Sequence, residues 1–150
     1  MKQRVRVEGL KELDAALKQL PKATAKAVLR RVATKALKPF DEAWRRNAPR
    51  LTGALEESGG IGTKLTTRQA RLNRKRNDKA FVEVFAGPND PAAIQDEFGN
   101  TNQAAQPFVR PAWDATKNQA LEIVKTELGG EIEKTAKRAA RRAARKAARG

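Results

Sequence analysis

The sequence predicts an α+β fold: a small antiparallel sheet packed against a long amphipathic helix, with a C-terminal helix and a basic helical tail. Three observations predict it. Apolar residues recur at helical spacing from Ala25 to Trp44, the longest periodic run in the chain. Two stretches of strand-like composition, 59–67 and 80–87, flank a cationic segment that suits a hairpin loop. Residues 134–150 are Arg, Lys and Ala with one Thr and a final Gly. At 150 residues the chain is long enough for one cored domain. The expected division is an α+β body over 1–128 and a Gly-Gly hinge with the tail over 129–150.

The elements follow in order. "QRVRVEG" alternates polar and apolar residues and ends at Gly9, as a short edge strand would. Leu10, Leu13, Leu17 and Leu20 then fall at helical spacing until Pro21. From Lys22, residues Ala25, Val28, Leu29, Val32, Ala33, Ala36, Leu37, Phe40, Ala43 and Trp44 form one stripe. Lys26, Arg30, Arg31, Lys35, Lys38 and Arg45 lie opposite, so this helix buries one face. Pro39 inside it is expected to kink or restart it near Phe40. Pro49 and Gly53 end it.

"GGIGTKLTT" is a weakly specified strand or hairpin arm, and "RQARLNRKRNDK" the cationic loop after it. "AFVEVFAG", Ala80 to Gly87, is the best strand in the chain and is expected to be central. "PNDPAAIQDEFGN" predicts a turn, a short helix and a stop at Gly99. Pro107 and Pro111 bracket Phe108–Val109–Arg110, which predicts an extended segment, with Pro111 in the first turn of a helix starting at Ala112. That helix should run at least to Leu128 and bury Trp113, Ala120, Val124 and Leu128. Gly129–Gly130 disfavours a continuous helix by roughly 2 kcal/mol against an Ala pair, so a break or hinge is expected there.

Composition excludes much. With no Cys and no His, disulfides, the usual transition-metal sites and all Ser–His–Asp or Cys–His chemistry are ruled out. Asp96 and Glu97 are sequence neighbours and do not face each other on a helix, so they make no acid/base pair. "GGIG" lacks the Gly-Lys-Ser/Thr ending of a phosphate loop. No enzyme and no cofactor is expected. The N-terminal residues do not resemble a signal peptide and no run of about 18 apolar residues occurs, so a soluble chain in a reducing compartment, with no membrane partner, is expected.

The 32 Lys and Arg against 17 Asp and Glu, net +15, point instead to an acidic partner. Candidate contacts to nucleic acid or an acidic surface are Arg71, Arg74, Lys75 and Arg76 in the loop, and Lys137, Arg138, Arg141, Arg142, Arg145, Lys146 and Arg149 in the tail. Phosphate neutralisation by such residues is salt-dependent and indifferent to sequence. A solvated tail, or one docked on a neighbouring subunit, explains the same charge. Alanine pairs at 139–140, 143–144 and 147–148 recur every four residues, a stripe that drifts around a 3.6-residue helix and forms no narrow seam.

Five stretches in this order resemble one family: "VEGLKELDAALKQLP", "NAPRLTGALEESGG", "VFAGP", "IQDEFGN" and "QPFVRPAWDA". Together they are similar to the tail-completion (head–tail joining, or neck) proteins of tailed bacteriophages and prophages, over roughly residues 5–128. The shared pattern is carried by Gly9, Leu10 and Leu13; by Ala48, Pro49, Thr52, Gly53 and Leu55; by Glu97, Phe98 and Gly99; and by Pro107, Phe108, Arg110, Pro111 and Ala112. Where the family has Ser-Ile, this chain has Ser58 followed by Gly59–Gly60, so the strand there is expected to start late. The Arg/Ala tail lies outside the family pattern.

The resemblance implies a non-enzymatic virion protein, made in the host cytoplasm and placed at the head–tail junction. It would form a closed homo-oligomeric ring, with six subunits expected. Its partners would be neighbouring connector and tail-tube proteins and double-stranded DNA passing through. Phe98, Pro107, Phe108, Arg110, Pro111 and Trp113 become the candidate subunit interface, since prolines pre-set a stiff surface at little entropic cost. Phe108 and Trp113 packing on the chain's own sheet is the competing reading. Arg110 is expected to pair with a carboxylate, either Glu97 or one on a neighbour. A free basic nucleic-acid-binding protein acting through its tail is the alternative function.

Overall fold

The computed structural model describes residues 9–50, 52–72 and 82–150. In order these form α1 (Leu10–Lys18), α2 (Lys22–Asn47), α3 (Ala54–Glu57), β1 (Gly60–Gly62), α4 (Thr67–Leu72), β2 (Phe85–Gly87), α5 (Ala92–Phe98) and α6 (Val109–Arg149). The α+β expectation is borne out: a two-stranded antiparallel sheet lies against α2, and a long C-terminal helix completes the body. The edge strand expected at 3–9 falls almost wholly outside the described residues.

The scaffold is the packing of α2 on α6. On α2 the buried positions Val28, Val32, Ala36, Phe40 and Trp44 recur every four residues. On α6 they are Ala112, Thr116, Ala120, Leu128 and Ile132, on the same four-residue row. Rows of this kind interdigitate as ridges into grooves. Val28 and Val32 meet Leu128 and Ile132 in one cluster, which Leu13, Ala16 and Leu17 of α1 cover. Phe40, Ala43 and Trp44 meet Phe108 and Ala112 in another, closed by Leu55 and Ala93. The helices therefore run antiparallel. Trp44, Phe108, Val28 and Val32 have no appreciable exposure, and burial of each such side chain contributes about 1.5–3 kcal/mol.

Pro39 does not restart α2, which is unbroken from Lys22 to Asn47. The ring removes one helix hydrogen bond, but Val32 and Ala36 before it and Phe40, Ala43 and Trp44 after it are buried on one side of the body. Their combined burial exceeds the ~3 kcal/mol of an interior proline.

The break expected at Gly129–Gly130 does not occur either, since α6 continues to Arg149. Leu128 and Ile132 are buried on either side of the pair. Glu127 pairs with Lys35 at 3.0 Å and Glu131 with Arg31 at 3.1 Å, which ties both flanking turns to α2. These contacts offset the glycine penalty. Contact with the body reaches Thr135, and every residue beyond it is exposed.

Among the described residues the sheet is smaller than expected. Gly60 pairs with Gly87, Ile61 with Ala86 and Gly62 with Phe85. Of the strand read over Ala80–Gly87, the first two residues lie outside the described ones. Among the described residues only Phe85–Gly87 pairs, and β2 has β1 as its single neighbour, so it is not central there. The late strand start is present at Gly60. Gly59 just before it can carry no side chain, because a Cβ would lie 1.9 Å from the Gly87 carbonyl oxygen. Part of the expected cationic loop is helical. Thr66 and Gln69 cap α4 reciprocally, with the Thr66 N–H donating to Gln69 Oε1 at 3.1 Å and the Gln69 N–H to Thr66 Oγ1 at 3.3 Å.

Two outcomes are expected. Gly130→Ala should raise stability by about 0.5–1 kcal/mol in urea unfolding, since Gly130 is helical, exposed and a Cβ there meets nothing within 4 Å; a loss would mean that the position needs glycine's freedom. Truncation after Ala136 should leave the thermal transition of the body within a few degrees of the full chain, because no buried residue is removed.

Candidate functional site

The short helix α5 and the start of α6 are locked together by one carboxylate. Glu97 is 4% exposed, and its Oε2 accepts the N–H groups of Phe108 and Val109 at 2.7 and 2.9 Å. Its Oε1 accepts the Arg110 N–H at 3.0 Å and Arg110 Nε at 2.8 Å. A helix start leaves its first N–H groups without intrahelical partners. Here Glu97 takes three of them from another helix, and Pro111, next in line, has no N–H to satisfy. The N-cap position is consequently free to hold Phe108, whose ring enters the core 6.3 Å from Trp44.

Helix geometry thus begins at Val109, so Val109 and Arg110 are not extended as expected. The bias of a pre-proline residue away from helix is overridden by the hydrogen bonds to Glu97. Burial pushes the Glu97 carboxyl upward, and this is the largest single influence. The Phe108, Val109 and Arg110 N–H groups and the Arg110 side chain together outweigh it and hold the group at about 2, below its ordinary 4.5.

The neighbouring residues complete the junction. Arg110 Nη2 also donates to the Glu97 carbonyl at 3.0 Å, and the guanidinium lies 4.7 Å over the Phe98 ring. Gly99 has φ 74°, and a Cβ there would come within 2.8 Å of the Ala105 nitrogen, so only glycine turns the chain at this point. The following loop is tied back by the Gln106 N–H to the Asp96 carbonyl at 2.7 Å and by Gln103 Nε2 to Asp96 Oδ1 at 2.8 Å. The expected Arg110 carboxylate partner is Glu97, within the chain.

Of the proposed interface residues, Phe108 is buried in the chain's own core and its ring cannot reach a neighbour. Phe98 is 63% and Trp113 44% exposed; Pro107, Arg110 and Pro111 are exposed as well. Trp113, expected inside, lies edge-on to Phe40 at 5.6 Å with much of its indole in solvent, because the buried row of α6 passes through Ala112 and Thr116. Val124 is only partly buried. Ile94, 55% exposed, joins Phe98 in lining a groove of about 310 Å³ with Val109, Arg110 and Arg68. Ile94 was missed because its one i, i+4 partner, Phe98, ends a two-turn helix that is too short for the spacing to show which face is buried.

A second clamp went unseen in the sequence. Arg45 sits 4.8 Å from the Trp44 ring, pairs with Asp41 at 3.0 Å and donates to the Glu56 and Gly59 carbonyls. Ser58 Oγ accepts the Asn89 and Asp90 N–H groups, each at 3.2 Å. Together they hold the turn between α3 and β1 onto the body.

Among the basic candidates, Arg71 is exposed at the end of α4, while Arg74, Lys75 and Arg76 lie outside the described residues. Lys137, Arg138, Arg141, Arg142, Arg145, Lys146 and Arg149 are all exposed along the last turns of α6. Among the described residues no group of three acidic side chains is placed to hold a metal ion, and no helix is long and apolar enough to cross a membrane.

Residues 11–90, 80 of the 150, match a family model described as "Bacteriophage HK97-gp10, putative tail-component". No curated protein and no solved structure gives a significant match. The matched region holds α1 to β2, including the Thr52–Gly53 turn and the sheet.

Two substitutions rank the contacts of the junction. Glu97→Gln should destabilise by about 2–3 kcal/mol, as the charge leaves three backbone donors. Arg110→Ala should give about 1 kcal/mol, because its side chain is half in solvent. Urea unfolding of both variants checks the order, and equal losses would place the energy in the ion pair. The depressed Glu97 group adds stability that is complete above about pH 5 and is lost as pH falls from 4.5 toward 2. The loss amounts to about 3 kcal/mol, and in Glu97→Gln this part of the acid sensitivity should vanish.

Proposed function

The chain belongs to the HK97-gp10-like family of phage tail components, and we propose that it is a non-enzymatic ring subunit at the head–tail junction of the particle. In this reading, copies of the chain associate head to tail into a closed ring, with six expected. The ring joins the connector to the tail tube and leaves a passage for DNA. Heterologous contacts of this kind close when the rotation between neighbours permits.

The observation that carries the reading is the α5–α6 junction. Glu97 and Gly99 hold it stiffly from within, and its outer side presents Ile94, Phe98 and Arg110 to solvent beside an open groove. A preorganised apolar surface ringed by charge is what a neighbour can bind with little ordering cost. The basic tail favours the second reading, a free nucleic-acid-binding protein. Oligomeric state without DNA separates the two.

Native mass spectrometry of the purified chain, and reconstruction of the assembled particle, are expected to give a closed ring with this chain at the junction. Phe98→Asp with Ile94→Asp should prevent ring closure while leaving the far-ultraviolet circular dichroism unchanged. Particles carrying the chain as isolated monomers, or away from the junction, would overturn the reading.

A further inference from the structure

The last fourteen residues of the helix α6 project beyond Thr135 as a continuation of a helix that the body has already nucleated. An isolated Ala-rich segment of this length is marginal as a helix because the first turn is costly to form. Here that turn is supplied by the buried Leu128, Ile132 and Thr135 and by the Arg31–Glu131 ion pair. The segment extends about 21 Å at 1.5 Å per residue.

Its charge is arranged on one half of the cylinder. At about 100° per residue, Lys137, Arg138, Arg141, Arg142, Arg145, Lys146 and Arg149 fall within an arc of about 180°. The alanines at 136, 139, 140, 143, 144 and 147 occupy the other half, and Ala148 alone falls within the cationic arc, between Lys137 and Arg141. The four-residue repeat slides the cationic stripe by about 40° each time, yet three repeats are too few to carry it around the helix. No acidic residue occurs from 134 to 150. Five pairs four residues apart carry like charges, from Lys137/Arg141 to Arg145/Arg149, and each opposes the helix by about 0.2–0.5 kcal/mol until an anion relieves it.

We infer that this tail is a preformed binding element for double-stranded DNA, contacting the phosphates along a groove without reading sequence. Seven cations within about 18 Å of helix require a partner of comparable charge density. Duplex DNA presents one negative charge per ~1.7 Å, about ten over that length. Its major groove, about 12 Å wide, admits an α-helix, and a back face of alanine keeps this helix slim. The alanines also argue against a membrane surface, which would need large apolar residues on that side. The absence of aromatic residues from the tail argues against single strands, which bind through base stacking. The inference rests on the tail alone and holds whether or not the chain closes into a ring.

The test uses the full chain and a variant with Arg138, Arg141, Arg142 and Arg145 changed to Gln, which has nearly the same helix propensity as Arg. Binding to a mixed-sequence 24-base-pair duplex is measured by fluorescence anisotropy at several salt concentrations. For the parent, log affinity against log salt should fall with a slope of about −4 to −6. For the variant the slope should be shallower by about 3 to 4, one phosphate per charge removed. Two duplexes of different sequence should bind equally, and a single strand of equal length more weakly. Unchanged thermal melting of the variant would show that the body is intact. A parent and variant with equal slopes, tighter binding to the single strand, or equal binding to polyglutamate would each overturn the assignment to duplex DNA.

Discussion

Val28 and Val32 pressed on Leu128 and Ile132, and Trp44 on Phe108, fix α2 against α6 at both ends of their shared length. Everything else hangs on this pair. The sheet and α5 pack over the Trp44 end, and α1 covers the valine end. Because both buried rows advance by four residues, a slip along the helix axis would set bulky side chains against each other and separate the ion pairs. Arg31 with Glu131 and Lys35 with Glu127 mark the register. At the surface they contribute only modest energy, but they select one alignment among near neighbours. One packing decision therefore sets where α6 begins and in which direction it leaves the body.

The other end of that helix illustrates how a buried carboxylate can be structural. Glu97 has the depressed pKa and desolvated position often associated with catalysis. Its partners are those of a cap: three backbone N–H groups and one guanidinium use both oxygens. A cap supplied from α5 joins two elements where a local Ser or Asp would merely end one. The same residue thereby places Phe108 inward and leaves Phe98 under the Arg110 guanidinium at the surface. Stiffness and exposure at this junction have a common source.

The excess charge is distributed with equal economy. Within the body, Asp41, Glu56, Glu97, Glu127 and Glu131 each face an Arg or Lys. Hydrogen bonding from Arg31 keeps Glu131 below the ordinary carboxylate range, and Glu127 raises Lys35 by the same kind of contact. The tail has no such partners in its own sequence. Its cations are held apart on a helix and directed into solvent, which is a poor arrangement for stability and a suitable one for a polyanion. The body's carboxylates thus offset part of its charge, 17 against 25 Lys and Arg over residues 1–135, whereas the tail has seven cations and no carboxylate.

Much of this was legible in the sequence. The late strand at Gly60 was read from Gly59–Gly60 standing where the resembled family has Ser-Ile. The apolar stripe from Val28 to Trp44, the stops at Pro21, Pro49 and Gly99 and the basic tail all follow from local chemistry acting over a few residues. So did the Arg110 pairing with a carboxylate, since an Arg held on a stiff backbone among apolar residues needs an anion. The Thr66-x-x-Gln69 capping box was also present and would have marked α4. Tertiary structure alone decided the rest. Helix propensity opposes Pro39 and Gly129–Gly130, and only burial against a partner helix, invisible to a local reading, overrides it. Whether Trp113 faces inward depends on which row of α6 meets α2. That Glu97 caps a helix beginning twelve positions later depends on a loop that returns the chain to the same place. Local sequence determines which conformations are inexpensive, whereas the choice among them belongs to contacts between residues far apart in the chain.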